Sequence, residues 1–204
     1  MRVLTAAQMK AAEDAAVAAG GSYEGLMENA GAAAAVQTME LAAQKGLAKS
    51  VLLLCGKGNN AGDAFVMGRL LAAQGWQVAY MLLCGQGFSP LAALNFGRLP
   101  KGAVPLAPTA VPQSAVVVVD GVFGTGFHGQ LPAAVQAAFA QVNGAAHLRL
   151  ALDVPSGLWC DTGEVAKNTF CGHYTFAFGA CKPGLLLQPG AACAGQVRVL
   201  DIGL

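Results

Sequence analysis

The run Ser50-Val51-Leu52-Leu53-Leu54-Cys55 has no polar side chain after its first residue, and it empties directly into Gly56-Lys57-Gly58-Asn59-Asn60-Ala61-Gly62-Asp63. An apolar run that short and without alternation suits a strand covered on both faces, the kind found in parallel sheets flanked by helices. Similar runs recur: Gln77 to Cys84, Val116 to Asp120, Leu148 to Val154, Tyr174 to Phe178 and Gln196 to Ile202. Helical stretches separate several of them. One spans about Asp63 to Gln74 and stops at Gly75, a short one spans Pro90 to Gly97, and one spans Leu131 to Val142 with Pro132 near its first turn. Between residues 87 and 114 many prolines predict only that short helix and an irregular connection. Ahead of the first strand, Thr5-Ala6-Ala7-Gln8 forms a capping box that starts a helix to about Ala18. Gly20-Gly21 breaks it. A second helix runs from about Ser22 to about Lys45, with Gly46 as its stop. Strands alternating with helices predict an α/β protein with a mostly parallel sheet covered on both faces. The 204 residues suit a single domain.

Charge is scarce, so its placement is informative. Asp, Glu, Lys and Arg make up 11% of the chain, and beyond Glu40 the only carboxylates are Asp63, Asp120, Asp153, Asp161, Glu164 and Asp201. Asp120 and Asp153 fall at strand ends, and Asp63 follows the loop after the first strand. Ligands of open α/β sheets bind in the crevice beyond the carboxyl ends of the strands, so acids there face a site. The plainer reading is that they cap helices or shape turns, as aspartates often do. It weighs most for Asp63, which stands where its helix is expected to begin.

Two glycine loops accompany these acids. The first is Gly56 to Asp63; the second is Gly124-Thr125-Gly126-Phe127-His128-Gly129, just past Asp120. Backbone amides freed at a helix N-terminus form an anion site, so a phosphate is the natural occupant. Each loop fits G-x-G-x-x-[GA], yet a dinucleotide fingerprint also needs an acid about 20 residues on to hold the ribose. No Asp or Glu lies between Asp63 and Asp120, and the second loop is set off from its strand by Gly121, Val122 and Phe123. A P-loop requires Lys and then Ser or Thr after its last glycine; Gly62 is followed by Asp63 and Gly129 by Gln130. A redox dehydrogenase and a P-loop ATPase are both disfavoured.

A third constellation is Leu152-Asp153-Val154-Pro155-Ser156-Gly157-Leu158. Pro155 stops the strand, and Ser156-Gly157 turn the chain. Ser156 lacks the G-x-S-x-G elbow of a hydrolase nucleophile. Of His128, His147 and His173, only His128 sits in a glycine loop where a ligand contact is expected. The six cysteines form no C-x-x-C pair, which argues against zinc, and they read as small buried hydrophobes.

The remaining composition excludes other classes. At 55% hydrophobic residues the chain is not disordered, and a net charge of +1 gives no case for nucleic acid or an anionic membrane. Its apolar runs fall well short of the roughly 18 residues of a spanning helix. Glu13 and Asp14 interrupt the Ala-rich N-terminus, so no secretory signal is read and a cytoplasmic location is expected.

Several segments, in order, resemble the YjeF N-terminal domain family, whose enzymatic members are NAD(P)HX epimerases. They are Leu26-Met27-Glu28-Asn29-Ala30-Gly31, Gly56 to Asp63, Asp120 to Gly129, Leu152 to Gly157, Asp161-Thr162-Gly163, Phe178 to Gly184, and Asp201-Ile202-Gly203. Two positions depart from the family: Ala61 replaces a glycine, and His128 stands where an arginine is common. The resemblance implies a Rossmann-like three-layer α/β/α sandwich. It implies that Asn59, Asn60, Ala61, Gly62, Asp63, Gly124, Thr125, Gly126, Phe127, His128, Gly129 and Gln130 line the dinucleotide site with Asp153. It implies a potassium ion on Asn60, Asp120 and Ser156, whose oxygens suit a hard cation. The substrate would be NADHX or NADPHX, a reduced nicotinamide hydrated at the ring carbon beside the nitrogen. That carbon can lose water or open its ring, and a planar carbon then allows return on the opposite face. Either route moves a proton at oxygen, for which Asp153 is the candidate, Asp161 the second, and Lys182 a charge partner. In the family this domain is often fused to an ADP- or ATP-dependent dehydratase, so the chain is also read as the candidate N-terminal part of a longer bifunctional protein. The other class of reading is a non-catalytic nucleotide-binding or scaffold module of the same fold. The Ala-rich N-terminal helices offer a face for a homodimer.

Overall fold

Six strand pairings join seven strands, and every one is parallel. The computed structural model describes residues 2–112 and 116–204; the end of the proline-rich connection, at 113–114, lies outside them. The strands are β1 (Ser50–Cys55), β2 (Gln77–Leu82), β3 (Val104–Pro105), β4 (Val117–Gly121), β5 (Leu148–Leu152), β6 (Tyr174–Phe178) and β7 (Gln196–Leu200), in the spatial order β3-β2-β1-β4-β5-β6-β7. The helices are α1 (Ala6–Ala18), α2 (Tyr23–Gln44), α3 (Asn59–Ala73), α4 (Pro90–Gly97), α5 (Ala133–Gly144) and α6 (Gly190–Ala194).

The continuous apolar strands are covered twice, as their composition requires. Val51, Leu53 and Cys55 of β1 pack with Ala34 and Leu41 of α2 and Phe65 and Met67 of α3. Leu52 and Leu54 point the other way, into a core with Val135, Phe139 and Val142 of α5. The result is the three-layer, Rossmann-like α/β/α arrangement. The chain reverses its strand order between β1 and β4, which opens a crevice at their carboxyl ends. No helix among the described residues is long and apolar enough to cross a membrane.

Local signals mark the first helices well. Thr5 Oγ1 accepts from Gln8 N at 3.3 Å and Gln8 Oε1 accepts from Thr5 N at 2.9 Å, completing the capping box. Ser22 caps α2 by accepting from Gly25 N at 3.0 Å.

The structure departs from the sequence reading at α3. The glycine loop is shorter than expected: the helix begins at Asn59, not Asp63, and Gly58 is its N-cap. Gly62 looks like a loop residue but sits inside the helix, because α2 crosses there. A Cβ on Gly62 would lie 2.5 Å from Met27 Sδ. Asp63 is therefore no cap. Strand ends also move: β2 stops at Leu82, β5 at Leu152 and β7 at Leu200. The short edge strand β3 falls in the connection read as irregular, and a 3-10 turn at Pro183–Leu185 and α6 lie in a segment for which the sequence reading assigned no element.

Candidate active site

The turn after β1 and the loop after β4 nearly touch. A Cβ on Gly56 would fall 2.0 Å from Val122 O, so only glycine permits this approach. Beside them lies a cavity of about 930 Å³, walled by the α3 N-terminus, the β4–α5 loop, the residue after β5, the middle of α1 and the start of α2. Asn59, Asn60, Asp63, Gly124, Thr125, Gly126, Phe127, His128, Gln130 and Asp153 all line it. Ala61, Gly62 and Gly129 do not. Ala61 is wholly buried in the α2–α3 core and Gly62 packs on Met27, since the helical first turn faces them away from the crevice.

Beneath the cavity floor, Asp120 is fully buried. Its Oδ2 accepts from Ser156 N at 2.7 Å, and its Oδ1 accepts from Val122 N at 3.1 Å and the Ser156 hydroxyl at 2.6 Å. Burial nevertheless pushes its carboxyl up to about 7, with those hydrogen bonds working the other way. Ser156 Oγ also accepts from Phe123 N at 2.8 Å. Asn60 Nδ2 donates to Phe123 O at 2.9 Å, which leaves Asn60 Oδ1 buried without a hydrogen-bond partner. Thus the three residues expected to hold an ion are drawn together by one loop. Their chemistry fits an alkali cation: a buried carboxylate lacking a positive partner, an unsatisfied amide oxygen, a hydroxyl and a carbonyl. No cluster of three or more His, Cys, Asp or Glu of the kind that holds softer or divalent metals occurs among the described residues.

Asp153 stands one residue past β5, not within it, and its φ of 63° is left-handed. A non-glycine residue there is uncommon and is held by its surroundings. Asp153 N donates to Phe176 O at 2.8 Å, and Phe178 N donates to Asp153 Oδ1 at 3.3 Å. The same Oδ1 accepts from Lys182 Nζ, whose ammonium is fully buried and also donates to Phe178 O at 2.9 Å. Both side-chain contacts fall on Oδ1, so Oδ2 is the oxygen left to address a ligand.

Two further carboxyls line the same cavity. Burial raises Asp63 well above the usual range, and the nearby charges of Asp153 and Glu13 add to this. Glu13 is raised as well, by burial first and by Asp153 second. Glu13 was missed in the sequence. Its signal was there: it lies four residues after the buried Met9, on the inward stripe of α1. Asp161 moves the other way. It is exposed, does not line the cavity, and accepts from Ala6 N at 2.8 Å, anchoring the start of α1. His128 lies edge-on to Trp159 at 5.6 Å at the cavity, while His147 and His173 serve backbone donors elsewhere.

A parallel sheet with a carboxylate-bearing cavity at its switch point defines a Rossmann-like protein of the nucleotide-binding type. More particularly, the chain belongs to the family described as "YjeF-related protein N-terminus", whose model matches residues 23–184. It is 34% identical to the NAD(P)H-hydrate epimerase of Rhodopirellula baltica, over 88% of this chain and 75% of that protein. It is 32% identical to the NAD(P)H-hydrate epimerase of Elusimicrobium minutum, over 100% of this chain and 96% of that one. Identity to the bifunctional NAD(P)H-hydrate repair enzyme Nnr of Thermofilum pendens is also 32%, over 99% of this chain but 40% of the relative. Among solved structures, yeast YNL200c superposes with a TM-score of 0.73 at 20% identity, covering 90% of this chain and 83% of the other. That likeness supports the fold.

Proposed function

We propose that this protein is an NAD(P)H-hydrate epimerase, interconverting the R and S forms of NADHX and NADPHX in nicotinamide nucleotide repair. The observation that carries the chemical reading is the Asp153–Lys182 pair on the cavity wall, in a chain whose relatives of similar length are named for this activity. A scaffold would not need a buried lysine aimed at an acid in its ligand cavity.

The reacting carbon bears both nitrogen and hydroxyl. Loss of water needs a proton on the departing oxygen, and the lone pair of the ring nitrogen then holds the carbon planar. Water returning to the opposite face must give up a proton. Asp63, which lines the cavity and is held toward its neutral form by burial, would supply the first proton. Asp153, ion-paired with Lys182, would take the second through Oδ2. Proton exchange with solvent resets the pair. The glycine-containing segments at Gly58–Asn59 and Gly124–Gly126 offer backbone to the phosphates.

Asn60, Asp120, Ser156 and the Phe123 carbonyl would hold a potassium ion. When bound, it supplies a fixed positive charge that offsets Asp120 beneath the β4–α5 loop. The bifunctional relatives support a second domain or partner, an ADP- or ATP-dependent dehydratase, acting on the same hydrates. The exposed Val36 on α2 supports that helix as the surface for a homodimer. A cytoplasmic site of action fits nicotinamide repair.

The decisive experiment is Asp153→Asn, assayed from purified R-NADPHX by chromatographic appearance of the S form, with the spontaneous rate subtracted. Ligand affinity should change by about tenfold or less, on the order of 1.4 kcal/mol. Epimerisation should fall about 10²-fold or more, as expected on losing a general acid–base. A variant with full activity removes Asp153 from the chemistry. Wild-type protein no faster than the background defeats the enzymatic reading.

A further inference from the structure

The thiols of Cys171 and Cys193 are 2.9 Å apart, and the backbone beside them is tied by Gly172 N donating to Cys193 O at 2.9 Å. Cys171 lies just ahead of β6 and Cys193 lies in α6. A disulfide has an S–S length of about 2.0 Å, so the sulfurs need to approach by only about 1 Å. Both side chains are half-buried and reachable from solvent, whereas Cys55, Cys160 and Cys181 are fully or almost fully buried. Cys84, also half-buried, follows β2 near the opposite end of the sheet.

We propose that Cys171 and Cys193 are a reversible redox couple whose disulfide clamps the segment carrying both side-chain partners of Asp153. The closed loop, residues 172–192, contains Phe178, whose N–H donates to Asp153, and Lys182, which pairs with it. It also contains two short elements, the 3-10 turn and most of α6, that have little helix of their own to hold them. The inference rests on the thiol geometry and not on the reaction assigned to the cavity.

The environment favours Cys171 as the attacking sulfur. Its thiol is lowered to about 7 by the hydrogen bond it shares with Cys193, with Arg149 adding to this and burial opposing it. The Arg149 guanidinium is held there, with Nε donating to Cys171 O at 2.7 Å. With hydrogen peroxide as oxidant, the Cys171 thiolate attacks one oxygen, the O–O bond breaks and hydroxide leaves, giving a sulfenic acid. The Cys193 sulfur then attacks that sulfur; the S–S bond forms, the S–O bond breaks, and water leaves with the Cys193 proton. The two sulfurs are oxidised, the peroxide is reduced, and two thiols with one peroxide yield a disulfide and two waters.

The test treats the reduced protein with a few equivalents of hydrogen peroxide, removes the excess with catalase, and alkylates the remaining thiols before intact-mass and peptide analysis. Wild type should lose two alkylation sites and yield a linked Cys171–Cys193 peptide, with Tm raised by roughly 5 °C and restored by dithiothreitol. The double variant Cys171→Ser/Cys193→Ser should show no shift in Tm. The single variant Cys193→Ala, which keeps Cys171, should instead accumulate sulfinic acid there, having no resolving thiol. Wild type that remains fully alkylated, or that carries Cys171 on to sulfinic acid, overturns the couple. A link that forms without moving Tm overturns the clamp.

Discussion

Lys182 buries its ammonium completely against the carboxylate of Asp153, while Asp153 keeps 16% of its side chain exposed. The asymmetry assigns their parts: the lysine is fixed, and the acid is the member that a ligand in the cavity can reach. A buried charge is tolerated when it is paired and hydrogen-bonded, and Lys182 has both Asp153 and Phe178 O.

Lys182→Met should therefore destabilise the protein by about 3 kcal/mol, the lower range for breaking a buried pair from one side. The loss comes largely from stranding Asp153. Adding Asp153→Asn should restore part of it, so the double variant should be more stable to urea than Lys182→Met alone. Equal or lower stability of the double variant would show that Lys182 acts through packing and not through its charge.

Asp63 supplies a pH dependence. Its carboxyl is raised well above the usual range, chiefly by burial. The folded protein then holds this proton more tightly than the unfolded chain, which releases it near pH 4. The stability it contributes is complete below about pH 4 and is lost as pH rises through the folded value. Asp63→Asn cannot ionise, so its stability relative to wild type should improve between pH 5 and pH 9. Urea midpoints measured across that range decide the matter, and a difference that does not change with pH refutes the assignment.

Potassium should bind without substrate. At a concentration about ten times its dissociation constant it should stabilise the fold by about 1.4 kcal/mol, or raise Tm by about 3 °C. The control is tetramethylammonium chloride at equal ionic strength. Asp120→Asn keeps hydrogen-bonding atoms but removes the charge, and should abolish the difference. Identical melting of wild type in the two salts would remove the ion from Asn60, Asp120 and Ser156.

What the sequence determined by itself was local. The Thr5 capping box, the Gly46 stop and the unbroken apolar run of β1 each depend on neighbours within a turn or a strand, and each appears as expected. The positions of Asp120 and Asp153 at strand ends followed from the same short-range pattern. Tertiary structure decided what those acids meet. Asp120 is satisfied by Ser156, 36 residues away, and Asp153 by Lys182, 29 residues away. Asp161, plausible from its motif, is drawn off to Ala6 across 155 residues. Glu13 enters the cavity only because α1 packs at the carboxyl end of the sheet, and Gly62 is a helix-crossing residue only because α2 lies against α3. Side-chain periodicity records which face is apolar. It does not record strand order, and strand order brings residues distant in the chain to the same edge of the sheet.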